Sequence, residues 1–232
     1  MAAERSAPSI WMRPERAAVG RPAQHSRAEI TAVAIDIADR EGLDAVSMRR
    51  VAAELGTGAA SLYRYVETRE ELLDLMTDAT GAEYALPAPA GDWVADLVAV
   101  GEQSRAILRR HPWLPGLVMT RPVIGPNGIA LLEHFLTVLA GHPAGLQAKM
   151  EAFAMLNGLT AASVLYEQSG GSALQERNVA YLQHALASGA HPRLAELFSQ
   201  SPRPASPRPA DPADRFAPLL ARVLTGLLGH HA

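Results

Sequence analysis

The chain has no cysteine. Disulfides, thiolate zinc sites and cysteine nucleophiles are therefore excluded, and the composition suits a reducing compartment. Lysine is nearly missing too: Lys149 stands alone, and every other basic side chain apart from histidine is arginine. No apolar run approaches the roughly 20 residues that a membrane-spanning helix needs. The N-terminus lacks a basic stretch followed by an apolar one, so no secretory leader is read and a cytoplasmic location, with no membrane partner, is expected. Nowhere do apolar and polar residues alternate over the length of a strand. The chain is accordingly predicted to be all-α.

What is present is an ordinary globular balance: 48% apolar, 19% charged and a net charge of −3 over 232 residues. That charge argues against a protein coated in nucleic acid, but a few well-placed cations suffice for a local site. Residues 1–28 hold five arginines against two glutamates. With Pro8, Pro14, Gly20 and Pro22 they show no sustained period, and residues 1–25 read as a flexible basic arm. Helical signals then fill 26–85. Residues 86–91 (Leu-Pro-Ala-Pro-Ala-Gly) form a linker, and 92–232 form a second, mostly helical region. Within it, 201–213 is a proline-rich spacer before a last helix over about 214–228.

Ser26 is a good N-cap for a first helix whose apolar stripe is Ile30, Val33, Ala34, Ile37 and Ala38. Gly42 ends that helix. Ser47 caps a second, with Val51 and Leu55 inward. Gly56-Thr57-Gly58 makes a tight turn into a third short helix over about 59–66. Two helices joined by a glycine-containing turn match the DNA-binding helix-turn-helix. In the third helix Leu62 and Val66 anchor to the core. Ser61, Arg64 and Tyr65 share another face, at a spacing that suits base edges or phosphates. Ala59 and Ala60 are small enough for close approach of the backbone to a groove. Thr68 and Glu71 form a capping box for a fourth helix, about 70–84, with Leu72, Leu73, Met76 and Ala79 turned inward.

The runs Asp39-Arg-Glu-Gly-Leu43, Ser47-Met-Arg-Arg-Val-Ala-Ala-Glu-Leu-Gly56, Ala60-Ser-Leu-Tyr-Arg-Tyr-Val66 and Glu70-Glu-Leu-Leu73 resemble the TetR family of repressors over about residues 26–76. The resemblance implies an N-terminal three-helix DNA-binding domain and a C-terminal helical bundle for ligand binding and dimerisation. It places Arg49 against bases or phosphate, Ala60, Ser61, Arg64 and Tyr65 in the groove, and Tyr63 and Arg69 on phosphates. Glu67 departs from the pattern, standing where many relatives carry lysine. The segment from Arg13 to Arg21 is expected along an adjacent minor groove.

The stretch from Arg109 to Pro115 and the run Gly125-Pro-Asn-Gly128 resemble, more loosely, the C-terminal domain of the tetracycline-repressor subgroup. A small-molecule pocket is expected to draw on Trp113, Met119, His134, Phe135, Met155, Asn157 and Tyr166, which mix apolar walls with polar handles. The helix around 149–168 carries Met150, Phe153, Asn157, Ala161 and Val164 on one stripe. The last helix carries Phe216, Leu219, Leu220, Val223, Leu224, Leu227 and Leu228, a face wide enough to need a partner surface. That partner is a second copy of the chain or the chain's own body. The histidines lack metal-binding spacings, and no cofactor motif, nucleophile–base pair or carboxylate dyad is visible. The expected function is thus non-enzymatic: a homodimer on a palindromic operator, released by an effector. The alternative is a helical interaction protein that has lost DNA binding, for which Glu67 speaks.

Overall fold

The computed structural model describes residues 9–14, 25–169, 172–200 and 212–229, and among these the regular structure is entirely helical. Four helices make the N-terminal unit: α1 (Arg27–Glu41), α2 (Met48–Glu54), α3 (Ala59–Leu62) and α4 (Arg69–Thr80). The body holds α5 (Trp93–Arg110), α6 (Leu114–Thr120), α7 (Pro126–Val138), α8 (Leu146–Gln168), α9 (Ser172–Ala187), α10 (Pro192–Gln200) and α11 (Pro212–Leu228). None of the described helices is long and apolar enough to cross a membrane.

The caps read from sequence form. Ser26 Oγ accepts the Glu29 N–H, Ser47 Oγ accepts that of Arg50, and Thr68 Oγ1 accepts that of Glu71, at 3.1, 3.2 and 3.1 Å. Gly42 leaves α1 at φ +87° and Gly56 leaves α2 at φ +65°. Side chains other than glycine rarely adopt such angles. The capping box at the start of α4 reaches one residue further back as well: the Glu71 carboxylate takes the backbone N–H of Thr68 and, through Oε2 at 2.8 Å, that of Glu67.

Two cores result. The first joins Ile30, Ile37, Val51, Leu62, Val66, Leu72 and Met76 to Ile107, Leu114 and Val164 of the body. The N-terminal unit is therefore docked on the body by shared apolar burial. The second gathers Leu97, Phe135, Leu139, Leu156, Phe216, Leu220, Leu224 and Leu228. It sets α11 against α5 and α8 of the same chain. A methyl group at Gly101 would collide with Leu220 Cδ2, so the Leu220 side chain would have to shift to admit it. The apolar stripe of the last helix thus divides: 216, 220, 224 and 228 serve the chain's own body, while Leu219 and Leu227 stay exposed.

The loose arm expected over 1–25 is corrected where it is described. Ile10–Met12 form one 3-10 turn, Ile10 is buried in the first core, and Trp11 packs against that core. Residues 201–211, which include most of the expected proline-rich spacer, and residues 15–24 lie outside the described residues, as do His230 and His231.

Candidate nucleic-acid interface and ligand cavity

The helix-turn-helix presents a small set of groups to solvent. Ala60, Tyr63, Arg64 and Arg49 are exposed, and Ser61 is partly so. Ser61 Oγ lies 2.8 Å from both Thr57 Oγ1 and Gly58 O, which fixes the turn before α3. Thr57, expected only as part of the tight turn, adds its hydroxyl to this arrangement. The arginines fall into two classes. Arg50 pairs with Glu41 at 2.8 Å and Glu54 at 2.7 Å, and Arg40 binds Asp36, Glu41 and Glu54. Arg49 and Arg64 have no ion-pair partner among the described residues, although the Arg64 guanidinium lies 5.2 Å from the centre of the Tyr65 ring.

Three expected DNA contacts are corrected. Tyr65 is 4% exposed and belongs to the core. Tyr65 stands three residues after Leu62 and beside Val66, and it is buried with both in the first core, its ring turned inward beneath the Arg64 guanidinium. Arg69 points back into the protein: Nε donates to Val46 O at 3.2 Å and Nη2 to Leu43 O at 3.1 Å. Arg13, expected at a minor groove, inserts between Glu67 and Glu71. Burial works to raise the Glu71 carboxyl, but the Arg13 guanidinium and the Glu67 N–H hold it below the usual carboxylate value. The departure at Glu67 is thereby accounted for, because its charge is paired within the chain.

Between α4, α5, α6, α7 and α8 lies a cavity of about 500 Å³. Its walls include Ile107, Leu108, Val118, Leu131, Met150 and Phe153, with Thr77, Asp78, Tyr84, Ser104, Asn127 and Asn157 as polar points. Of the seven residues expected there, Met119 and Asn157 line it. The other five do not. Trp113 is buried in the first core with Nε1 donating to Asp39 at 2.6 Å, and Phe135 stacks edge-on against Phe153 in the second core. Met155 and Tyr166 face outward at 45% and 66% exposure, and His134, half-buried on α7, is not part of the wall.

The polar points are unequal. Thr77 Oγ1 is shielded from solvent without a hydrogen-bond partner. Burial raises the Tyr84 hydroxyl above its ordinary pKa of 10.0, partly offset by a hydrogen bond to Ser104, so the phenol is neutral and keeps its proton. Asp78 caps α7 from a different helix: Oδ2 accepts the N–H of Asn127 at 3.3 Å and its Nδ2 at 3.1 Å, and Oδ1 accepts the Gly128 N–H at 3.0 Å. Gly125, at the cap position itself, has no side chain to do this. Helix α4 therefore lies in both sites. Leu72, Leu73 and Met76 pack in the first core with the recognition element, and Thr77, Asp78 and Thr80 border the cavity.

Residues 30–76 match the family model "Bacterial regulatory proteins, tetR family", and residues 86–230 match "Tetracyclin repressor-like, C-terminal domain". The chain belongs to the TetR family. This TetR-family chain is 39% identical, over 85% of its own length and 75% of the relative's, to the HTH-type transcriptional repressor DrrR1 of Streptomyces coeruleorubidus. Its fold superposes on ActR of Streptomyces coelicolor, solved without ligand, with a TM-score of 0.74 at 31% identity, over 87% of this chain and 96% of that one. ActR has also been solved with (S)-DNPA, at a TM-score of 0.74, 32% identity and the same coverage. It has further been solved with actinorhodin, at a TM-score of 0.72, 29% identity, over 90% of this chain and 100% of that one. The family makes the chain a helix-turn-helix, DNA-binding transcriptional regulator with a C-terminal helical domain.

Proposed function

We propose that the chain is a ligand-released repressor that binds a palindromic operator as a homodimer. The observation that carries this reading is the double duty of α4, which packs with the recognition element at one end and borders the cavity through Asp78 at the other. A ligand that fits one position of α4 better than another shifts the population of DNA-competent dimers. A coupling of about 1–3 kcal/mol changes operator affinity roughly 5–150-fold. Arg49, Ala60, Ser61, Tyr63 and Arg64 are the proposed DNA contacts. Two recognition elements in a dimer would sit about one turn of B-DNA apart, some 34–36 Å. The exposed Leu219 and Leu227 of α11, with Met155 and Tyr166 of α8, are the apolar surface offered to the second copy.

The ligand is proposed to be drug-sized and mainly apolar, with oxygen or nitrogen functions that meet Thr77, Tyr84, Asn127 and Asn157. The complexes of ActR with actinorhodin and with (S)-DNPA support a cavity of this kind as a ligand site. Arg13 pairs with Glu67, so the carboxylate that spoke for an interaction protein without DNA binding is matched by a cation of the same chain.

Selection from a random DNA pool by the purified protein, followed by shift assays over a salt series, tests the reading. The expected result is an enriched inverted repeat whose affinity falls steeply with ionic strength. Failure to enrich any sequence would remove the operator-binding assignment.

A further inference from the structure

Residues 10–14 run beside α4 and touch residues near both of its ends. At one end Trp11 lies at the joint between α4 and α7: a methyl group added at Gly125 would come within 2.6 Å of Trp11 Cζ2 and would also strike the Asp78 carboxylate. Ile10, beside it, is buried in the first core. At the other end Arg13 inserts between Glu67 and Glu71, just after the recognition element. Arg27 of α1 binds both: Nη1 donates to Ile10 O and Arg13 O at 2.9 Å each, and Nε donates to Tyr65 O at 3.0 Å. The carbonyl of Tyr65 and the carboxylate of Glu67 bracket the turn that leaves α3. A guanidinium set between two carboxylates has its charge already satisfied and is poorly placed to meet a phosphate.

We infer that residues 10–14 are a strap that holds the recognition element in its DNA-reading position, anchored at the cavity-side joint and at the turn at 65–67. Arg13 is a positioning residue in this strap and not a DNA contact. It acts through Glu67 and Glu71, and Trp11 anchors the other end. The inference rests on the proposed DNA-binding function and extends it to a segment outside the helix-turn-helix.

The test uses the full chain and DNA selected by the unmodified protein. Arg13→Gln and Trp11→Ala are each expected to lower affinity about tenfold and to speed amide hydrogen exchange over residues 62–67. The slope of log affinity against log salt should stay as in the parent, because no phosphate contact is lost. The pair Arg13→Gln/Glu67→Gln, which keeps the net charge of the segment, should bind no better than Arg13→Gln alone. Arg13→Lys, which leaves a cation between the carboxylates, should recover part of the affinity, and it carries the same measurements if Arg13→Gln loses its helical signal. A slope smaller by about one in both Arg13→Gln and the pair would make Arg13 a phosphate contact and overturn the strap. So would unchanged affinity together with unchanged exchange. If the parent chain selects no DNA, the regulator reading falls instead, and the exchange data alone decide whether the strap holds the turn.

Discussion

At the scale of single residues, the arginines near the helix-turn-helix divide by what already satisfies them. Arg40, Arg50 and Arg13 are held by carboxylates and Arg69 by two carbonyls, whereas Arg49 and Arg64 have no ion pair among the described residues. The sequence names all of these as cations but does not say which are occupied, because the occupying carboxylates lie up to 58 positions away. Tyr65 was misread for a local reason. Its spacing of four from Ser61 competes with a spacing of three from Leu62, and the structure buries it with Leu62 and Val66. Arg64→Ala is expected to cost about 1–3 kcal/mol of discrimination between the selected sequence and a single-base variant of it. Arg49→Ala is expected to weaken all sequences alike and to reduce the salt slope by about one. Arg50→Ala should leave DNA affinity and salt slope unchanged. Equal effects of all three in quantitative shift assays would refute the division.

At the scale of elements, α8 explains why helices were legible and the cavity was not. The stripe Met150, Phe153, Asn157, Ala161 and Val164 is one helical face, as the period predicts, yet it changes occupation along its length. Met150, Phe153 and Asn157 line the cavity, while Ala161 and Val164 enter the first core. Met155 and Tyr166, equally apolar in sequence, point the other way. Periodicity gives the face of one helix, but a cavity wall is set by five helices together. Filling that space should separate the two functions. Ala154 also lines the cavity, and Ala154→Trp is expected to keep DNA affinity while abolishing the release caused by any compound that releases the parent. Asp78→Ala strips the cap from α7, which typically costs about 1 kcal/mol. It should also reduce ligand-induced release, since α4 then loses its hold on Asn127 and Gly128. The checks are thermal unfolding and shift assays with and without a releasing compound. Release at parental strength in both variants would disconnect the cavity from DNA binding.

At the scale of the whole molecule, the N-terminal unit and the body are joined by polar contacts as well as by the shared core. His111 Nδ1 lies 2.8 Å from Asp39 Oδ1 of α1, its Nε2 lies 2.7 Å from Glu83, and Arg121 donates to Asp74 of α4 at 2.7 Å. Within the body, Glu167 of α8 receives both Arg105 and Arg109 of α5. Burial would raise the Glu167 carboxyl, yet the two guanidinium groups bring it below its ordinary value of 4.5, as Arg13 does for Glu71. A carboxylate with a depressed folded pKa stabilises the fold above its unfolded pKa and loses that contribution as pH falls through the folded value. Both pairs thus act fully near neutrality, and their contribution declines once pH drops below about 4.5. The urea midpoint of the parent should therefore fall with pH in that acid range. Arg13→Gln and Arg105→Gln should each start from a lower midpoint at pH 7 and show a shallower acid decline, because Glu71 or Glu167 then titrates nearer to its unfolded value. Midpoint curves for the variants that run parallel to the parent between pH 7 and pH 3 would mean that these pairs do not set the acid limb.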